Sequence, residues 1–299
     1  FYKHFFSKKH NIDPKNVETY FALLKRTAKK NKVEIFKVPN GDKKIQNSLK
    51  LLEKAVYNIE NKNFRNDLDI LTKRLEDKKP FAFSKYADGE FHVLNNQPVD
   101  NGEFWFIPDN HQKNRVELVK SFRYHHDDYY VGISCPCCIG GTTIHNWMKK
   151  QSKQEDDHLT WANLFVNGNY EYYMENVVPK FKNFETILVS NSDSNLDRLP
   201  FNIKKHFKIG KNAWVENYSL TTEIKEYISE NELKNGLFLF CAGPYGNILT
   251  HQLHEYNQEN FYIDIGSTLN PFLLGEAGKK SRGYLRNESS IKKVCVWGN

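Results

Sequence analysis

The chain has 299 residues, of which 39% are hydrophobic and 14% aromatic, a globular composition that excludes a disordered protein. Lysine and arginine number 43 against 36 aspartates and glutamates, so the net charge of +7 suits an anionic partner such as a nucleotide, a nucleic acid or an acidic membrane surface. No run of about 18 apolar residues predicts a membrane-spanning helix, and no apolar signal segment is present. The 5 cysteines, an odd number, fit reduced thiols. We therefore expect a cytoplasmic protein, and the charge alone suggests peripheral contact with a membrane.

The N-terminal part of the chain, residues 1–77, is predicted to be helical. Apolar residues recur at helical spacing in three stretches, Val17–Lys29, Ile45–Ile59 and Asn66–Leu75. From Pro80 onward, short apolar runs alternate with amphipathic stretches, a pattern that favours a mainly parallel, doubly wound α/β sheet. We therefore divide the chain into an N-terminal helical region, residues 1–77, and an α/β catalytic domain with a C-terminal tail, residues 78–299.

The elements of the α/β domain are predicted from these runs in chain order. The predicted strands are Phe81–Phe83, Tyr129–Ser134, Leu164–Val166, Thr186–Ser190, Ala213–Val215, Leu237–Cys241 and Phe261–Ile265. The predicted helices are Arg115–Tyr124, Ile144–Lys150, Tyr170–Lys182, Thr221–Ile228 and Tyr245–Tyr256. Parallel strands place their carboxyl ends at one edge of the sheet, where ligands of such folds bind.

Two carboxylates follow the first predicted strand. Asp88 and Glu90 flank Gly89 in the hexapeptide Lys85-Tyr86-Ala87-Asp88-Gly89-Glu90. Carboxylates one residue apart at a strand end can turn toward one point, and their oxygens suit a hard divalent cation such as Mg²⁺ or Mn²⁺. The alternative is an ordinary polar turn, since Asp-Gly is among the commonest turn dipeptides.

Two further stretches place polar groups at predicted strand ends. Gly243-Pro244 joins a buried strand to a helix, and the free N–H groups and helix dipole of such a turn suit a phosphate. The same turn is also explained by proline at the first helical position, which needs no ligand. Asp264 lies near the end of the next strand, where it suits a ribose hydroxyl, a sugar hydroxyl or a metal, or simply caps the following loop.

Together these stretches resemble the GT-D type glycosyltransferases, a family with an Asp-X-Glu metal motif on a Rossmann-like sheet. Family members carry an Arg-Phe-Gly-Asp-Gly-Glu signature, a central Ala-Asn-X-Phe element, a Gly-Pro turn and an Asp-Ile-Gly strand end. The corresponding residues are Lys85–Glu90, Ala162-Asn163-Leu164-Phe165, Gly243-Pro244 and Asp264-Ile265-Gly266, in the same order within residues 78–274. Two departures are Lys85, which keeps the charge of the family's arginine but not its bidentate geometry, and Ala87, which replaces a glycine.

The resemblance implies a metal-dependent transferase that uses a nucleotide-diphosphate sugar, with UDP as the expected nucleotide, and a glycan or lipid-linked acceptor. It implies that Asp88 and Glu90 hold Mn²⁺ or Mg²⁺ and that Asp88, Glu90 and Asp264 are the catalytic residues. Asp193, in a polar loop after a strand, is a second candidate for the general base. The implied donor-binding residues are Lys85, Tyr86, Gly89, Asn163, Gly243, Pro244, Tyr245 and Asp264.

Three other classes of protein are compatible with parts of the sequence. The first is a non-catalytic module of the same fold that binds a nucleotide sugar or a glycan. The second is a Rossmann enzyme of another class, against which no G-x-G-x-x-G follows a predicted strand. The third is a nucleic-acid-binding protein, which we do not expect because no reader motif is present.

Cysteines and histidines form the remaining clusters. Cys135-Pro136-Cys137-Cys138 resembles half of a zinc site, but a closed site needs four ligands, so His145, Cys241 or Cys295 would have to complete it. Without a second such pair, the sequence favours a buried thiol-rich strand end. On the last predicted helix, we expect His251 to face the site and His254 the surface.

Overall fold

A computed structural model describes residues 62–138, 140–281 and 293–298. Its strands are β1 Ala82–Lys85, β2 Val99–Asp100, β3 Trp105–Phe106, β4 Tyr129–Ile133, β5 Leu159–Trp161, β6 Thr186–Asn191, β7 Lys205–Ile209, β8 Leu237–Phe240 and β9 Phe261–Asp264. Seven of them form one sheet in the order β5-β4-β1-β9-β8-β6-β7, and every pairing in it is parallel. Strands β2 and β3 form a separate antiparallel pair. The predicted α/β fold with a mainly parallel sheet is confirmed.

Helices flank the sheet and connect its strands. They are α1 Phe64–Glu76, α2 Asp88–Leu94, α3 Gln112–Arg123, α4 Gly141–Ser152, α5 Tyr170–Tyr172, α6 Ala213–Glu216, α7 Leu220–Glu230, α8 Pro244–Tyr256, α9 Asn270–Leu273 and α10 Gly275–Ser281. A π-helical turn, Tyr173–Val177, follows α5, and 3₁₀ turns span Asn167–Asn169, Val178–Asn183 and Leu196–Arg198. Within the described residues, no helix combines the length and the apolarity that a membrane span requires.

The strand order places β1 and β9 side by side at the centre of the sheet. From β1 the chain runs outward through β4 to β5, whereas β6 to β9 fill the other half. Ala82 of β1 is in register with Tyr129 on one side and Tyr262 on the other. Ligands of open α/β sheets bind beyond the carboxyl ends of the strands at the point where the strand order reverses. In this sheet that point lies between β1 and β9.

Five of the predicted strands overlap observed strands, and two are wrong. Leu164–Val166 is buried but lies in turns after β5, and Ala213–Val215 begins α6. The strands observed near these two segments are β5 and β7. The sequence does not predict β7, because it is an edge strand that carries the exposed Lys205 and Lys208 beside Phe207 and Ile209. An apolar run reports burial, and burial occurs in turns and short helices as well as in strands.

Helix α1 confirms the predicted helix Asn66–Leu75 and packs on the α/β body. Its buried apolar residues belong to the same core as the sheet, and the Arg65 guanidinium donates to Asn169 Oδ1 at 2.9 Å and to the Gly168 carbonyl at 3.1 Å. The predicted helices Val17–Lys29 and Ile45–Ile59 lie outside the described residues. The boundary between residues 77 and 78 therefore stays a prediction.

Candidate functional site

A cavity of about 430 Å³ opens at the carboxyl edge of the sheet. Its walls are formed by residues that follow strands far apart in the sequence. Those that bear on chemistry are Lys85, Asp88, Gly89, Glu90, Asn163, Asp193, Lys211, Gly243 and Gly266. The cavity lies where the strand order reverses, and it brings together most of the residues that the sequence motifs singled out.

Asp264 is the last residue of β9 and precedes the cavity residues Ile265 and Gly266, but it does not itself line the cavity. Its side chain is 2% exposed, and its Oδ1 accepts from the Gly266 N–H at 3.0 Å. The Asn247 side-chain amide donates to Asp264 Oδ2 at 3.4 Å and to the Lys85 carbonyl at 2.7 Å, which ties the ends of β1 and β9 together. Burial raises the pKa of Asp264 to about 7, opposed by the charge of Lys85 and reinforced by that of Glu90. A carboxyl with such a pKa exchanges a proton near neutral pH.

The Lys85 side chain lies across Gly266. A Cβ built on Gly266 would be 2.5 Å from Lys85 Cε and 3.1 Å from its Nζ. Gly266 also has φ of +53°, a backbone conformation that favours glycine. The absence of a side chain at Gly266, in the turn after β9, therefore leaves room for the Lys85 side chain at the end of β1.

The two carboxylates of the predicted metal motif differ in environment. Asp88 is the exposed first residue of α2 and lines the cavity. Glu90 is 5% exposed, and its Oε2 accepts from the Ala87 N–H at 2.9 Å, so it caps the start of α2. Oxygen donors fit Mg²⁺ or Mn²⁺. In the described part of the chain, however, Asp88, Glu90 and Asp264 are not drawn together into a cluster of three donor atoms.

The segment before β3 covers one side of the cavity with Phe104. This ring is 6% exposed, and a Cβ added to Gly89 would lie 2.8 Å from its Cζ. A Cβ added to Gly243, where φ is +54°, would lie 3.3 Å from its Cδ1. Phe104 thus packs on both glycine turns and holds the first turn of α2 beside the turn before α8.

Four residues predicted to bind the donor do not line the cavity: Tyr86, Pro244, Tyr245 and Asp264. The Tyr86 ring is fully buried against Phe122, and its hydroxyl donates to Ser121 Oγ at 2.9 Å. The Tyr245 hydroxyl donates to a backbone carbonyl, that of Tyr218, at 3.0 Å. Side chains alternate along β1 and its extension, so Lys85 faces the cavity while the next residue faces the helical layer.

Phe104 and Lys211 are cavity residues that the sequence motifs did not indicate. Lys211 follows β7. Because the sequence does not predict β7 as a strand, it does not place Lys211 at the carboxyl edge of the sheet. Asp193, the second candidate base, is exposed and lines the cavity. The apolar–polar–apolar run Phe207-Lys208-Ile209 is the signal that could identify β7 and so place Lys211 after it, whereas no local pattern marks Phe104.

The histidines of α8 lie away from the cavity. His251 does not line the cavity and is 6% exposed, and its ring is 4.5 Å from that of Tyr124, centroid to centroid. His254 is 1% exposed, so the expectation that it faces the surface is wrong. Helix α8 is buried on several sides, so its buried surface is wider than the single apolar stripe of an amphipathic helix.

Comparison with known proteins gives matches to solved structures. No protein-family model and no curated protein matches this chain. A structure described as a new glycosyltransferase with domain of unknown function 1792 from Streptococcus sanguinis aligns with a TM-score of 0.47 and 15% identity over 76% of this chain and 91% of that one. A second, described as domain of unknown function 1792 with a distinct glycosyltransferase fold, aligns with a TM-score of 0.45 and 17% identity over 73% of this chain and 86% of that one.

Proposed function

We propose that this chain is a metal-dependent glycosyltransferase that moves a sugar from a nucleotide-diphosphate sugar, with UDP as the expected nucleotide, to a glycan or lipid-linked acceptor. One observation carries the proposal. The Lys85–Glu90 segment, the Gly243 turn and the residues after Asp264 are distant in sequence, yet they meet around one cavity at the reversal point of the sheet. That place and its mixture of cations, carboxylates and glycine turns suit a diphosphate linked to a sugar.

The donor diphosphate is assigned to the cationic side of the cavity. Lys85 and Lys211 supply positive charge, and the Gly243 turn opens a helix of 13 residues, whose N-terminus carries a positive dipole. Asp88 would hold Mn²⁺ or Mg²⁺, with Glu90 acting directly or through water. When bound, the cation neutralises charge that develops on the leaving diphosphate.

The acceptor hydroxyl needs a proton acceptor if the transfer inverts the anomeric centre. Asp264 is the base we propose, because burial raises its pKa to about 7, near the pH at which it would work. Asp193 remains the alternative, since it is exposed on the cavity wall. Asp264→Asn keeps the shape of the side chain and should lower turnover without abolishing donor binding.

Thermal unfolding with a panel of nucleotide diphosphates and nucleotide sugars tests donor binding. A ligand that binds only the folded state raises Tm by mass action. We expect a shift with one nucleotide family that depends on Mn²⁺ or Mg²⁺ and that Asp88→Asn removes. Asp109→Asn, which alters an exposed carboxylate outside the cavity, is the matched control and should keep the shift. No shift with any donor would refute the proposal.

Slow hydrolysis of the bound donor separates an enzyme from a binding module of the same fold. A transferase without acceptor still releases nucleotide diphosphate slowly, because water can replace the acceptor hydroxyl. We expect this release with the donor that raises Tm. Donor binding without any release, over a range of metals and acceptors, would favour the non-catalytic module.

A further inference from the structure

Four of the protein's cysteines meet at the carboxyl end of β4. Cys135, Cys137 and Cys138 follow that strand, and Cys295 comes from the C-terminal segment, residues 293–298. Their four sulfur atoms all lie within 4.8 Å of one another. The fourth sulfur thus belongs to a residue 157 positions after Cys138. For this reason the local motif by itself resembles only half of a zinc site.

The spacing of the sulfurs matches a tetrahedral metal centre. Zinc–sulfur bonds of about 2.3 Å place the sulfurs of a tetrahedral site about 3.8 Å apart. Here Cys138 Sγ and Cys295 Sγ are 3.9 Å apart, and Cys135 Sγ and Cys137 Sγ are 3.3 Å apart. A disulfide needs a separation of about 2.05 Å, so none of these sulfurs is paired in this structure.

The groups around the sulfurs are hydrogen-bond donors. The side-chain amide of Asn163 donates to Cys138 Sγ and that of Asn167 to Cys295 Sγ, each at 3.3 Å. The Lys293 ammonium also donates to Cys138 Sγ at 3.3 Å. Donors that surround metal-bound thiolates fix their orientation and offset their negative charge. Four thiolates around one divalent cation leave excess negative charge, which the lysine partly neutralises.

The cluster is partly enclosed by packing of the C-terminal segment. Cys135 is 1% and Cys295 2% exposed, whereas Cys137 and Cys138 are half-buried. Trp297 packs on Trp161 and His145, with ring centroids 4.9 and 5.0 Å away. Four protein ligands with no open position are typical of a structural zinc site, whereas a catalytic zinc keeps a position for water.

We propose that Cys135, Cys137, Cys138 and Cys295 bind one structural zinc ion that fastens the C-terminal segment to the α/β body. Binding forms four zinc–sulfur bonds and releases the thiol protons to solvent. The ion also braces the cavity, because Asn163 both lines it and donates to a ligand sulfur. Thiolate ligands favour zinc over the hard cations expected at Asp88.

Metal analysis of the purified full chain tests the site. We expect about one zinc per chain by mass spectrometry of metals, as a closed tetrathiolate site holds one ion. The Cys295→Ser variant should lose most of this zinc. Cys241→Ser is the matched control, because Cys241 lies outside the cluster, and it should keep full zinc content.

Cobalt replacement in the wild-type chain keeps the test independent of whether Cys295→Ser folds. Co²⁺ in a tetrathiolate site gives intense visible absorption and a sulfur-to-metal charge-transfer band, which zinc should then abolish by displacement. Absence of both zinc and the cobalt spectrum in reduced protein would overturn the proposal. A disulfide within the cluster, found by peptide mapping without reductant, or iron in place of zinc would overturn it as well.

Discussion

At the scale of single residues, Gly266 is the position where the backbone and the cavity chemistry meet. An alanine there would force a side chain into a left-handed conformation and onto Lys85. We expect Gly266→Ala to lower stability by about 1–3 kcal/mol through strain and to weaken donor binding because the Lys85 ammonium is displaced. The measurements are denaturant unfolding and donor titration.

Gly141→Ala is the control for Gly266→Ala. Gly141 has a similar φ of +59°, but the nearest atom to an added Cβ is 3.9 Å away, and it lies outside the cavity. The Gly141→Ala variant should therefore lose stability through backbone strain alone and bind the donor with the same affinity as the wild type. Equal donor binding by both variants would show that Lys85 does not contact the diphosphate.

His254 is a buried titratable residue whose protonation opposes folding. Burial lowers its pKa to about 4 from 6.5, helped by the charges of His126, His251 and Arg74 and opposed by Asp128. Between these pH values the unfolded chain binds a proton that the folded chain excludes. Stability should therefore fall as the pH drops from 6.5 toward 4, by up to about 3 kcal/mol from this residue.

Comparison of His254→Phe with the wild type isolates this effect. Phenylalanine keeps a ring among Tyr124, Tyr129 and Tyr262 but cannot titrate. Its free energy of unfolding should depend less steeply on pH in this range, while His125→Phe, at an exposed position, should keep the wild-type slope. Because both are compared with the wild type, other acid-sensitive groups cancel. An unchanged slope in His254→Phe would contradict the assignment.

At the scale of elements, the antiparallel pair β2–β3 determines the shape of the cavity through the segment between its strands. Phe104→Ala removes the ring that packs on Gly89 and Gly243. The loss of a buried phenylalanine should cost about 3 kcal/mol, and the two turns that face the donor should loosen. We expect weaker donor binding, measured by calorimetry at a temperature where the variant is folded.

Phe106→Ala provides the comparison within the same pair of strands. Phe106 is 1% exposed and lies 5.9 Å from Trp214, ring to ring, but it does not line the cavity. Its loss should lower stability to a similar extent and leave donor affinity unchanged. A parallel loss of affinity in both variants would mean that general stability, not the position of Phe104, controls binding.

The sequence predicted those elements in which apolar residues run without interruption. Central strands such as β8 and β9 are buried on both faces, so their composition identifies them and also locates the residues after them. Lys211 could not be placed, because the edge strand before it carries exposed lysines. The position of Phe104 depends on tertiary packing against two glycines that are distant in sequence, and no pattern in the neighbouring sequence predicts that contact.

At the scale of the whole molecule, the C-terminal segment joins elements from both ends of the described chain. The Gly168 N–H donates to the Lys293 carbonyl at 2.8 Å, and the Trp161 indole N–H donates to the Val296 carbonyl at 3.2 Å. Phe64 of α1 packs on the same Trp161 at 5.4 Å, ring to ring. The sequence indicated the first three cysteines and offered Cys295 as one of three candidates for the fourth ligand, but it could not choose among them, because only the folded chain brings residues this far apart together.

Removal of zinc should therefore lower the stability of the whole chain rather than of one loop. At free zinc of about 1,000 times Kd, the ion stabilises the folded state by about 4 kcal/mol. For a chain of this size each kcal/mol shifts Tm by roughly 2–4 °C, so a strong chelator should lower Tm by about 10 °C. Cys295→Ser, which already lacks the site, should melt low with or without chelator. If the wild type loses its zinc and keeps its Tm, packing around Trp297 alone holds the segment, and the ion contributes little to the fold.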